Sequence, residues 1–149
     1  MRKQVKYQFW HTGDQKMYPW EMLSISADGV TLWRDGALEP EVNCQGNLRE
    51  YTGLKDKDGR EIYEGDIVSV TADIEVGGWN ILRDIVEEER TIRQSITCKV
   101  YYDEALALYA LDTIRKAEHM DSWGFFGDDG AQEFEVIGNI YENPELLTP

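Results

Sequence analysis

The sequence holds few of the residues from which reactive sites are usually built. Two cysteines, Cys44 and Cys98, and two histidines, His11 and His119, are scattered through 149 residues. There is no CxxC pair and no Cys/His cluster, so a zinc or redox site has no ligand set in the sequence. Both thiols are expected to be reduced and part-buried, as in a cytosolic protein. Ser24, Ser26, Ser69, Ser95 and Ser122 carry no GxSxG context. No Lys-Ser/Thr follows Gly77-Gly78 or the glycines between Gly124 and Gly130, so neither is a phosphate loop. No apolar run approaches the roughly 18–20 residues of a membrane span. The N-terminus, MRKQVKYQFW, is basic but has no apolar stretch or small-residue cleavage site. These absences lead to the expectation of a cytoplasmic protein with no cofactor, no metal and no membrane contact.

Positive charge is also scarce, and unevenly so. The formal net charge is −14, yet residues 1–60 hold nine Lys/Arg against nine Asp/Glu, and residues 61–149 hold six against twenty. A field of that sign repels phosphate backbones, which argues against nucleic acid as a partner. The neutral half carries one local exception, Arg2, Lys3 and Lys6 beside Tyr7, Phe9 and Trp10. That cluster is read first as a solvated strand end.

What is present is a succession of short strand patterns broken by turns, the signature of a mainly β protein. KYQFW, VTLW, the stretch Leu48 to Leu54, REIY, IVSVTADI, SITCKVYYD, LALYALD and EFEVIGNIY all read as strands. At this length a single domain is expected over 1–149. Residues 80–90 are ambiguous. Ile81, Leu82, Ile85 and Val86 recur at helical spacing behind Asn80 as a cap, which predicts a short helix. A long hairpin arm is the competing reading, because Ile92, Ile96, Cys98 and Val100 fit a strand period. Asn143-Pro144-Glu145 predicts a short C-terminal helix with Asn as N-cap and Pro in the first helical position.

The densest signal is YTGLKDKDGREIYEGDIV, residues 51–68. An EF-hand beginning at Asp56 would need an acceptor, Gly and Glu where Arg60, Glu61 and Ile67 stand, so calcium is excluded. Glu61, Glu64 and Asp66 are close enough in sequence for acid–base work, but they flank a turn glycine. The stretch therefore reads as a hairpin with a solvated acidic tip. Cys98 has no neighbouring histidine in sequence; a spatial match with His119 is the one nucleophile pairing left to test. In DSWGFFGDDG, Trp123, Phe125 and Phe126 are either core or a contact surface for a partner.

TGLKDKDGREIYEGDIV (52–68), KYQFWHTGDQKMYPW (6–20) and FEVIGNIYENPELL (134–147) together resemble the YopX family of phage and prophage proteins. The three blocks stand in the family's order across nearly the whole chain. Residues 71–97 depart from the pattern, being longer and more charged than the family's usual run. The resemblance implies a mainly β fold with a partly open, SH3-like barrel and additional strands. It brings no assigned biochemical role and so no catalytic residues. It makes Thr52, Gly53, Leu54, Asp56, Gly59, Ile62, Tyr63, Glu64, Gly65 and Asp66 turn and core determinants. Gly59 and Gly65 would shape turns, and Leu54, Ile62, Ile67 and Val68 would be core. Tyr63 fits either core or a ligand contact.

The leading expectation is a non-enzymatic phage or prophage accessory protein in the bacterial host cell. It would bind an unknown protein partner, a host protein included, or assemble as a homo-oligomer. Two alternatives remain: an acidic mimic of nucleic acid that blocks a host DNA-binding protein, and a small β-barrel that binds nucleic acid.

Overall fold

The computed structural model describes residues 5–118 and 132–149. Among them no helix is long and apolar enough to cross a membrane. The chain divides into two compact units, one formed by Met1–Leu54 with Glu61–Glu64 and the other by Lys55–Arg60 with Gly65–Pro149. Both are built from strands, and one sheet curls into a half-barrel, as a mainly β fold requires.

In the first unit β1 (Tyr7–His11), β2 (Lys16–Tyr18), β5 (Gly46–Lys55) and β6 (Glu61–Tyr63) form a sheet in the order β2-β1-β5-β6. The hairpin β3 (Leu23–Ser26) and β4 (Gly29–Leu32) pairs separately. Phe9, Trp10, Tyr18, Leu32, Tyr51, Ile62 and Tyr63 are buried here. Aromatic and β-branched side chains fill such a pleated interior well, each contributing about 1.5–3 kcal/mol on burial. Arg49 is buried among them. Its Nε donates to the Glu64 carbonyl at 2.8 Å and Nη1 to Gln8 Oε1 at 3.1 Å, and its guanidinium lies over the Tyr63 ring. A buried guanidinium needs that full set of acceptors.

In the second unit β7 (Asp66–Asn80), β8 (Ile85–Asp103), β9 (Leu108–Arg115) and β10 (Gln132–Asn139) form an antiparallel sheet, β10-β7-β8-β9. Val68 faces Cys98 and Val70 faces Ile96 in register, and all four are buried. The strand alternation of two puts these residues on one face. The C-terminal turn at Pro144–Leu147 is a 3-10 helix rather than an α-helix. The Asn143 amide does not cap it; its Oδ1 accepts the Asn139 N–H instead.

The helix expected over 80–90 is absent. β7 and β8 continue as a hairpin arm through Ile74↔Ile92, Val76↔Arg90, Trp79↔Val86 and Asn80↔Ile85. The capping signal was real but served a single turn. Asn80 Oδ1 accepts the N–H groups of Leu82 and Arg83 at 3.1 and 3.2 Å. Asp84 then adopts a φ of 51°, which ends any helix. The long ladder on both sides of the turn outweighs a helical period seen in only four residues.

Candidate functional site

Several residues of the 52–66 motif are buried or shape turns. In the first unit Thr52 is buried. Its hydroxyl donates to the Ile62 carbonyl at 2.7 Å and accepts the Leu54 N–H at 3.2 Å. Ile62 and Tyr63 are core, but Leu54 is 40% exposed, against the expectation that it packs inside. Pleat alternation would put Leu54 on the same face as buried Thr52, but Gly53 between them adopts a φ of 89° and breaks the alternation, which turns Leu54 outward. Tyr63 donates to Glu61 Oε2 at 2.8 Å. Burial first, then Glu61 beside it, pushes its phenol well above the ordinary range. Glu61 also meets the Lys6 ammonium at 2.6 Å.

The acidic hairpin tip is solvated at Asp58, as expected, but not at Asp56. In the second unit Asp56 is only 7% exposed. Its Oδ1 accepts the Asp58 and Arg60 N–H groups, each at 2.9 Å, and its Oδ2 accepts the Val136 N–H at 3.0 Å. Burial pushes this carboxyl up, but the N–H donors of Val136, Arg60 and Asp58 outweigh it and hold the pKa below the usual range. Both oxygens are therefore committed to backbone, and none is left for a cation or a proton relay. Asp56 ties the 56–60 turn to β10, where the register shifts between Val136 and Gly138. Gly59 has a φ of 83° and Gly65 of 85°, as the turns require. Gly65 donates to the Val100 carbonyl and accepts from the Ile140 N–H. Asp66 is buried as well.

A second cluster, in the first unit, escaped sequence reasoning. His11, Glu41 and Cys44 bring donor atoms within 4.8 Å of one another. Arg34 bridges Asp14 and Glu41, with Nη–O distances of 2.6 Å to each. Tyr18 donates to Asp14 Oδ2 at 2.6 Å. The donor set suits zinc, but the bonding does not. His11 Nδ1 accepts the Asp14 N–H at 2.9 Å, so it carries no proton and Nε2 must. Nε2 faces Glu41 at 3.1 Å and the Arg34 guanidinium at 3.5 Å. A metal there would need an imidazolate ligand beside a fixed cation. Burial, then the Glu41 charge, pushes the Cys44 thiol up, away from the thiolate that metals and electrophiles need. The cluster is an ion-pair network that closes the 34–41 loop. Its members span 34 sequence positions and share no spacing that would announce them.

Cys98 is equally unpoised: burial pushes its thiol up to about 11. His119, its proposed partner, and Trp123, Phe125 and Phe126 lie outside the described residues. So do Arg2 and Lys3 of the basic cluster, whose described members are a Lys6 paired with Glu61, a half-buried Tyr7 against Trp20, and buried Phe9 and Trp10.

The feature that stands out is the tip of the β7–β8 arm. Trp79 is 69% exposed, Ile81 78%, Leu82 97% and Val86 83%. Ile81, Leu82 and Val86, with Ile85 at 44% exposure, are the residues that mimicked the buried stripe of a helix. Behind them Gly77 and Gly78 sit at a bulge. An open dent of about 480 Å³ forms there, lined by Ile74, Glu75, Val76, Gly77, Glu87, Glu88 and Arg90. Elsewhere in this unit many carboxylates are neutralised: Asp73 and Glu133 by Arg93, Glu135 by Lys57 and Asp112 by Lys99.

A family model described as "YopX protein" matches residues 6–148. No curated protein matches the chain. The crystal structure of protein EF1440 from Enterococcus faecalis is similar at a TM-score of 0.52 and 19% identity, covering 98% of this chain and 99% of that one. At that identity the likeness is one of fold.

Proposed function

The chain belongs to the YopX family, and from that premise we propose that it is a non-enzymatic phage or prophage accessory protein that binds protein through the tip of its β7–β8 arm. It works in the cytoplasm of the bacterial host. The observation that carries this reading is the exposure of Trp79, Ile81, Leu82 and Val86 together at one end of one ribbon. Single exposed apolar residues are ordinary, but a contiguous group is not. A few central residues, Trp prominent among them, carry most of the energy of a protein interface, and Trp79 is of that type. The catalytic alternatives found no support in the carboxylates and thiols described above. The mimic of nucleic acid has one feature in its favour, the run Glu87-Glu88-Glu89 on the same arm.

The two readings separate in one experiment. The full chain and a Leu82→Asp variant are used to capture host proteins after nuclease treatment, at low and high salt. Capture that resists salt and fails in Leu82→Asp supports the apolar tip. Capture of a DNA-binding protein that survives Leu82→Asp but is lost at high salt supports the mimic. Equal salt-resistant capture by both chains rejects the arm as the binding element.

A further inference from the structure

The arm carries its own counterpart. It runs beyond the last described pairs of the outer strands, Gln132↔Ala72 on β10 and Thr97↔Arg115 on β9, as a ribbon of two strands. A two-stranded ribbon is marginal in water by itself and gains from being covered. At its end is a knob, with Leu82 almost wholly exposed and Ile81 beside it. Behind the knob is the dent at the Gly77 bulge, lined by Ile74, Val76, three glutamates (Glu75, Glu87 and Glu88) and Arg90. Gly77 opens that space because it contributes no side chain, and a Cβ there would overlap the Glu88 carbonyl oxygen.

The charges repeat the pattern. Among the described residues Arg83, beside the knob, has no ionic partner, and neither have Glu87 and Glu88 at the dent. Trp79 and Val86, opposed in register, lie between knob and dent. We propose that two copies of this chain pair through their arms, antiparallel, the tip of each seated in the bulge dent of the other. This deepens the reading of the arm as a protein-binding element and rests on it.

Such an arrangement is isologous: each Arg83 meets the other copy's Glu87 and Glu88, and the relation is reciprocal, as a two-fold axis requires. The axis then passes close to the Trp79–Val86 pair, where the two indoles meet. A Trp side chain alone brings roughly 150–250 Å² of surface. Ile81, Leu82, Ile85 and Val86 extend it towards the roughly 800 Å² per partner of a standard interface. A purely basic partner would answer the glutamates but leave Arg83 and Arg90 facing like charge. A second copy answers both signs.

The test is sedimentation equilibrium of the full chain with two charge variants. Wild type is expected to be a concentration-dependent dimer. Arg83→Glu alone, and the double variant Glu87→Lys with Glu88→Lys alone, should each raise the dimer Kd at least roughly tenfold, because like charges then face each other. Mixing the two should restore a heterodimer, since every altered charge meets its opposite. In a Val86→Cys chain, mild oxidation should give a disulfide-linked dimer, and a Leu106→Cys control, exposed but away from the arm, should not. A wild type that stays monomeric, or variants that dimerise unchanged, would overturn the self-pairing. Loss of partner capture in Leu82→Asp would still uphold binding by the arm in that event, so the two ideas fail separately.

Discussion

Replacing Asp56 by Asn removes one charge and almost no volume, and the geometry states what that does. In the native turn three backbone N–H groups, of Asp58, Arg60 and Val136, converge on this carboxylate. Hydrogen bonds to a charged acceptor each contribute about 1.5–3 kcal/mol, and a donor left unsatisfied in a buried place costs about 1–3 kcal/mol. The Asn carbonyl oxygen keeps the Asp58 and Arg60 bonds at reduced strength. Its amide nitrogen then faces the Val136 N–H, donor against donor. The expected loss is about 2–3 kcal/mol for Asp56→Asn and about 3–5 kcal/mol for Asp56→Ala. Urea unfolding of the unit that contains Asp56 measures the total, and amide exchange at Val136 measures the local part. The sign in pH follows from the lowered folded pKa. An ordinary Asp titrates near 3.9 when unfolded. The contribution is therefore complete above that value and disappears as pH falls through the folded pKa. Wild type should lose its advantage over Asp56→Asn in that acid window. A loss under about 1 kcal/mol at neutral pH, or an advantage that does not shrink as the pH is lowered below the unfolded value, would refute the role given to this residue.

Thr52→Val should lower the stability of the first unit by about 1–2 kcal/mol, since the shape is kept while the Ile62 carbonyl loses its 2.7 Å donor; urea unfolding reads it. Gly46→Ala should cost more than about 3 kcal/mol, because a Cβ there would overlap the Trp10 carbonyl oxygen on the paired strand. Soluble yield and thermal melting check this, and a melting temperature within a few degrees of wild type would contradict it. The thiols should separate under a colorimetric thiol reagent at pH 8. Cys44 is half-buried with its thiol pushed up, so it should react in the native protein but more slowly than a free thiol, whereas buried Cys98 should react only after denaturant is added.

Local chemistry was legible in the sequence and long-range partnership was not. Asp58-Gly59 and Gly65 announced turns, and Val68, Val70, Ile96 and Cys98 announced a strand face, because turn geometry and pleat alternation depend on neighbours one to four residues away. Asp56 looked solvated for the same reason. Two of its donors lie within four residues, but the third, Val136, lies 80 residues on and is invisible to any local pattern. The His11 network failed likewise: an ion pair such as Arg34–Glu41 needs a loop to close before its spacing means anything.

The helix expectation failed differently, and its failure has content. Ile81, Leu82, Ile85 and Val86 were assigned to a buried stripe because four apolar residues at helical spacing normally answer to a core. Here the fold places them at a hairpin tip with no core within the described residues to receive them. Neither pleat alternation nor turn chemistry calls for such side chains; Asn80 and Asp84 alone would make the turn. Residues that break the local rules without a folding benefit are where function is expected to sit. On the proposed reading the apolar tip serves binding rather than stability. Measured well below the dimer Kd, Leu82→Asp should then leave the unfolding free energy within about 0.5 kcal/mol of wild type, the usual range for an exposed surface change, while abolishing association at higher concentration. A substantial loss of stability in the isolated chain would mean the tip serves the fold after all.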